Sequence, residues 1–231
     1  MRILALIIAV LFLPCCASVS LSLLEVSQAM HADAELFPPQ ALWFFAGFSC
    51  WLILFAVMPM PIRTYVFGHE LTHVVWAKLF KADVTGFKVG KKGGSVKVSK
   101  NNVFITLAPY FFPIYTSLVI VLYYVLYPFV NVKPFELWWY ALIGFTWSFH
   151  ITFTILVLCH HQPDLKVYGF FFSYVVIYLL NILGITLCIV IIGEPTLELF
   201  VTSLSDQFKF AYSQVWGIIP AMWSIVRGNG L

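Results

Sequence analysis

The sequence predicts an all-α polytopic membrane protein of about six transmembrane helices, with one small β-hairpin between a motif-bearing helix and the next span. Composition is the first reason: of 231 residues, 61% are hydrophobic, 18% aromatic and only 10% charged. An ordinary soluble domain carries about 25% charged residues, and the mean hydropathy here is +0.93. The second reason is that the apolar residues fall in runs of about 20, the length needed to cross a hydrocarbon core of ~30 Å. The third is a single stretch, residues 83–99, that departs from this habit and alternates apolar with polar side chains.

The first run, Ile3 to Leu24, follows Arg2 and is long enough to span. Its early part also has the character of a signal-peptide core, with small residues at Ala17-Ser18-Val19, and a retained helix is the favoured expectation. A loop with Glu25, His31, Asp33, Glu35 and Pro38-Pro39 follows, without lysine or arginine. The second span covers Ala41 to Val57 and stops at Met58-Pro59-Met60-Pro61, because closely spaced prolines break a helix. The motif helix then runs from Ile62 to Phe80. Further spans are expected at Val103 to Val130, Leu137 to Cys159 and Val167 to Ile192. The last apolar stretch, Phe210 to Val226, contains Gly217 and Pro220. It reads as a short span or an interfacial helix edged by Trp216 and Trp223. The expected organisation is an N-terminal helix and acidic loop over 1–40, a core over 41–193, and a helical tail over 194–231.

Charge is distributed unevenly. The formal net charge is only +3, yet seven of the thirteen basic residues lie between Lys78 and Lys100. Apolar spans bound that cluster on both sides, which argues against a nucleic-acid partner and in favour of the bilayer. The positive-inside tendency places the segment on the cytoplasmic side, and His160 to Lys166, two spans later, on the same side. Upstream the same logic conflicts with Arg2 unless the motif helix does not fully cross, so the N-terminal orientation stays open. The five cysteines sit in apolar runs with no CxxC spacing, which suits packing better than a disulfide framework or a cysteine metal site.

Within the motif helix, His69-Glu70-Leu71-Thr72-His73 places two imidazoles and a carboxylate among apolar neighbours. Positions i and i+4 share a helical face, so His69 and His73 can chelate one zinc ion, and Glu70 can take a proton from zinc-activated water. Ionisable groups at membrane depth cost about 2.5–3.5 kcal/mol each on insertion scales, so three within five residues call for a functional explanation. A catalytic zinc needs a third protein ligand and one open position. His150, in mid-span within Trp147-Ser148-Phe149-His150, is about 15 Å from the His160 end at 1.5 Å per residue. His69 and His73 are about 18 and 12 Å from Lys81 on the same count. His150 is therefore at a suitable depth to face the metal, either as ligand or as a group that stabilises a developing oxyanion.

Gly68-His69-Glu70-Leu71-Thr72-His73 in an apolar helix, followed by a glycine-bearing hairpin, resembles the site-2 protease family of intramembrane zinc metalloproteases. Thr106-Leu107-Ala108-Pro109 stands where members carry an Ala-Gly-Pro step. Gln162-Pro163-Asp164-Leu165 stands where they carry a proline loop and an Asp-Gly pair. The glycine of the first motif and the one after the aspartate are missing here, and the family's asparagine in the proline loop has no clear counterpart. The resemblance covers about residues 62–175. It implies His69 and His73 as zinc ligands, Glu70 as general base, Asp164 as third ligand, and membrane-anchored protein substrates. Asp164 looks shallow on a straight-helix count, so a re-entrant loop over His160–Asp164, with Pro163 preventing regular helix, is expected to carry it inward. Asp164 is favoured as ligand over His150, with His150 kept as the alternative.

The hairpin has its own reading. Val84, Phe87, Val89, Val96 and Val98 alternate with Lys88, Ser95, Lys97 and Ser99 around Gly90-Lys91-Lys92-Gly93-Gly94. An exposed strand edge offers amides to an extended peptide, which makes Val96 and Val98 candidate substrate contacts. A basic hairpin resting on anionic headgroups is an equal and compatible role. The competing function, from a different class, is a non-proteolytic membrane partner or assembly protein with a structural metal site, in which Glu70 has no chemical task.

Overall fold

A computed structural model describes residues 2–29, 38–90, 93–160, 162–192 and 197–228. The chain is mostly helical and divides into two compact units, Met1–Ala34 with Gly169–Leu231, and Glu35–Tyr168. Among the described residues four helices are long and apolar enough to cross a membrane: Arg2–Ala29, Pro39–Val57, Lys133–Leu158 and Phe170–Val190. A fifth span arises if Val103–Phe111 and Ile114–Leu126, which meet at an 81° bend, are counted together. The expected count of about six is thus reduced to four or five. The reason is chemical: the motif helix carries Arg63, His69, Glu70, His73 and Lys78, and the C-terminal helix carries Glu198, Asp206 and Lys209. Neither is apolar enough to count.

The first unit contains α1 (Arg2–Ala29), α8 (Phe170–Ile192) and α9 (Leu197–Gly228). The α8 helix, expected within the core over 41–193, therefore groups with the N-terminal helix instead. Several polar side chains in this unit pair with one another or with the backbone. Ser18 and Ser20 donate to the carbonyls four residues back, at 2.9 and 2.7 Å. The Glu25 carboxylate accepts from Ser203 and from Gln207 on α9. His31 and most of the acidic loop lie outside the described residues, as do the side chains of the C-terminal residues around Trp223.

The second unit is built on α2 (Pro39–Val57), α3 (Ile62–Leu79), β1 (Val84–Gly90), β2 (Gly93–Val98), α4 (Val103–Phe111), α5 (Ile114–Leu126), α6 (Glu136–Leu158) and α7 (Pro163–Tyr168). Helices α2 and α6 form its most extensive pairing. Two glycines allow it: a Cβ at Gly47 would overlap the Ala141 carbonyl, and one at Gly144 would overlap that of Phe44. Small residues are how helices approach closely where lipid removes the hydrophobic drive to associate. Beside that crossing, Trp51, Phe149 and Phe153 form an aromatic core, joined by Tyr65, whose ring stacks on Phe153 at 4.7 Å.

Proline sets the breaks. Met58 to Pro61 separates α2 from α3, as the sequence predicts. The expected single span from Val103 to Val130 is instead two helices, because Pro113 cannot continue α4 and Phe112 is extended. At the start of α4 the Asn102 side chain accepts from the Ile105 N–H at 2.8 Å, an N-cap.

The hairpin stands where it is expected. β1 and β2 pair antiparallel, with Phe87 opposite Val96 and Lys88 opposite Ser95, and a bulge between Val84 and Gly86. Strand alternation puts Phe87, Val89, Gly94 and Val96 on one face and Lys88, Ser95 and Lys97 on the other. The first face rests on α3, where the Phe87 ring meets Phe67 edge to face at 6.0 Å. The lysine face is exposed.

Candidate metal centre

On α3, Tyr65, His69 and His73 recur every four residues and so share one face. Both histidines point Nε2 at the same carboxylate oxygen, Asp164 Oδ2, at 3.3 Å from His69 and 3.6 Å from His73. One ligand atom from each of the three residues lies within 4.8 Å of the others. Burial alone would raise the Asp164 carboxyl, but the bonds from His69 and His73 outweigh it and hold it well below the usual carboxylate range.

Asp164 reaches this place by a route slightly different from the expected one. Pro163 does not prevent helix; it opens α7, where its missing N–H costs nothing, and Asp164 occupies the first turn. The Tyr110 hydroxyl on α4 donates to Asp164 Oδ2 at 3.0 Å and is fully buried. Each of the other two members has a similar support. Tyr65 Oη lies 3.1 Å from His69 Nδ1, and the Ile105 carbonyl accepts from His73 Nδ1 at 2.8 Å. Metal-ligating histidines almost always engage their second nitrogen in this manner.

The donor set fits zinc. Two imidazoles and one carboxylate are a ligand combination of catalytic zinc sites, both Nε2 atoms face one point, and both Nδ1 atoms are already engaged elsewhere. Among the described residues the group has three members, which leaves a tetrahedral ion one further position.

Glu70 follows His69 on α3, is 7% exposed, and lines the same cavity of about 780 Å³ as His69, His73 and Asp164. The hairpin reaches over it: a Cβ at Gly94 would sit 2.7 Å from Glu70 Oε1. Glycine there lets the β2 backbone lie directly on the carboxylate. Val96 and Val98 also line the cavity, with Phe153, Leu156 and Val157 of α6 among the other apolar lining residues.

His150 is not part of this group. It lines a separate void of about 20 Å³ behind His69, shared with Thr72, Tyr115 and Phe149. It does not line the larger cavity, which Asp164 does. His160 lines the mouth of the larger cavity, with its Nδ1 2.7 Å from the Leu156 carbonyl. Tyr65, Gly94 and the Ile105 carbonyl also take part in the site, and none of them stands out in the sequence as a site residue. The four-residue spacing from Tyr65 to His69 is the signal that could have found the first. Compared with family models, curated proteins and solved structures, the chain matches none.

Proposed function

We propose that the chain is an intramembrane zinc-dependent endopeptidase, similar to the site-2 protease family, that cuts membrane-anchored protein substrates. The observation that carries the reading is the convergence of His69, His73 and Asp164 beside Glu70 on one cavity whose other walls are largely apolar. When bound, zinc supplies polarisation of the scissile carbonyl and a lowered pKa for water. Glu70 accepts the proton of the attacking water and returns it to the leaving amine. His69, His73 and Asp164 hold the ion, while Tyr65 and Tyr110 keep His69 and Asp164 oriented.

A helical substrate shields its carbonyls, so it must unwind before reaching Glu70. The edge of β2 is suited to receive the extended segment, with Val96 and Val98 against its side chains. The lysine face of the hairpin lies at the cytoplasmic surface, and water enters from that side.

The test uses purified full-length protein in lipid nanodiscs with zinc quantified by mass spectrometry, against a panel of single-span reporter peptides. Glu70→Gln is expected to lower cleavage about 100- to 10,000-fold with zinc content unchanged. Undiminished cleavage by that variant removes Glu70 from the reaction. A structural metal in a non-proteolytic assembly protein would instead be closed by a fourth protein ligand and would be indifferent to Glu70.

A further inference from the structure

We infer that Pro109 is a positioning residue for the metal centre: the backbone N–H it lacks leaves the Ile105 carbonyl available to orient His73. In an α-helix the N–H of residue 109 donates to the carbonyl of residue 105. Proline has no N–H, and its ring crowds that same carbonyl and tilts it off the helix axis. Pro109 lies inside α4 and is buried. Ile105 is 2% exposed, a place where a carbonyl left without a donor is destabilising. His73 Nδ1 supplies the donor across the α3–α4 contact at 2.8 Å. Two deficits cancel: a helix missing one donor and an imidazole in need of one acceptor.

The consequence is chemical. A carbonyl accepts only from a protonated ring nitrogen, so this bond keeps a proton on His73 Nδ1 and leaves Nε2 as the nitrogen that can give its lone pair to a metal. Nε2 is the atom that faces Asp164. The two histidines are thereby oriented by different means, His69 by a side chain on its own helix and His73 by a break in the hydrogen bonding of a neighbouring one. Asn102 caps the start of α4 and Phe112 ends it, so the helix is anchored on both sides of the gap.

This inference rests on the reading that His69, His73 and Asp164 hold zinc. It is tested with Pro109→Ala, which restores the N–H and lets residue 109 compete with His73 for the Ile105 carbonyl. The zinc Kd, measured by chelator competition, is expected to weaken about 10–100-fold, the usual effect of losing an outer partner of a metal ligand. The absorption spectrum of the cobalt-substituted protein should change with it. Thermal stability of the metal-free variant should hold or rise, since alanine is much the better helix former in a helix interior. A merely structural proline would give the opposite pairing, lower stability with unchanged zinc affinity, and that result overturns the inference. A second measurement needs no variant: ¹⁵N spectra of metal-free wild type should show a proton on His73 Nδ1, and an Nδ1 that carries none overturns the inference. Wild-type protein that binds no zinc would instead bring down the metal reading itself.

Discussion

Glu25 and Glu70 are both glutamates on long helices, one in each compact unit, and they stand in opposite circumstances. Glu25, on α1, has both carboxylate oxygens engaged, by Ser203 and by Gln207. Glu70 has a glycine backbone pressed on one side of it and a cavity shared with two histidines and Asp164 on the other. Other polar groups of the first unit also pair off, Ser20 with Tyr178 and Cys15 with Tyr212. In the second unit His69, Glu70, His73 and Asp164 share one cavity. A carboxylate in a hydrophobic chain is therefore not by itself a site; the convergence of other ionisable groups on the same open space is what separates the two.

That contrast is open to experiment. Asp164→Ala carries the largest expected effect, a loss of zinc affinity well beyond the 10–100-fold typical of an outer partner. His150→Ala should leave affinity within about threefold, far inside that range. Equal losses from the two would return His150 to the ligand set. Next is Gly94→Ala, which forces either the hairpin or Glu70 to move. Because a displacement of about 1 Å costs roughly 100-fold in rate, cleavage should fall about that far while zinc stays bound. Tyr110→Phe is expected to weaken zinc about 10–100-fold, and in an Asp164→Ala background it should do nothing further. Glu25→Gln marks the bottom of the scale, with stability changed by about 1 kcal/mol or less and both zinc and cleavage untouched. A loss of metal in that last variant would erase the distinction between the units.

Much of the second unit was legible in the chain before its coordinates. The His-Glu-His spacing fixes a helical face, Met58 to Pro61 fixes a break, and glycines around Lys91-Lys92 fix a hairpin between alternating strands. What could not be read is of three physical kinds. Azimuth is one: counting residues along α6 gives the depth of His150 but not the direction in which it points. Backbone chemistry is another, because Ile105 takes part through a carbonyl that any residue would carry, and only Pro109, four positions on, hints that it is available. Close approach is the third, since nothing local to Gly94 announces that Glu70 will lie beneath it. The number of spans was overstated because the motif helix, long enough to cross, carries Arg63, Glu70 and Lys78. Pro113 is visible, but whether a proline kinks a helix or turns it through 81° depends on what the two halves pack against.

The glycine contacts between α2 and α6 carry a mechanical implication. At Gly47 and Gly144 main chain touches main chain, with no side chain between them to flex or slide. Such a joint is stiff, and α6 also presents Phe153, Leu156 and Val157 to the cavity. A bulky guest therefore meets fixed side chains on α6, and the room for it is set by the hairpin residues Gly93 to Val96 that line the same cavity.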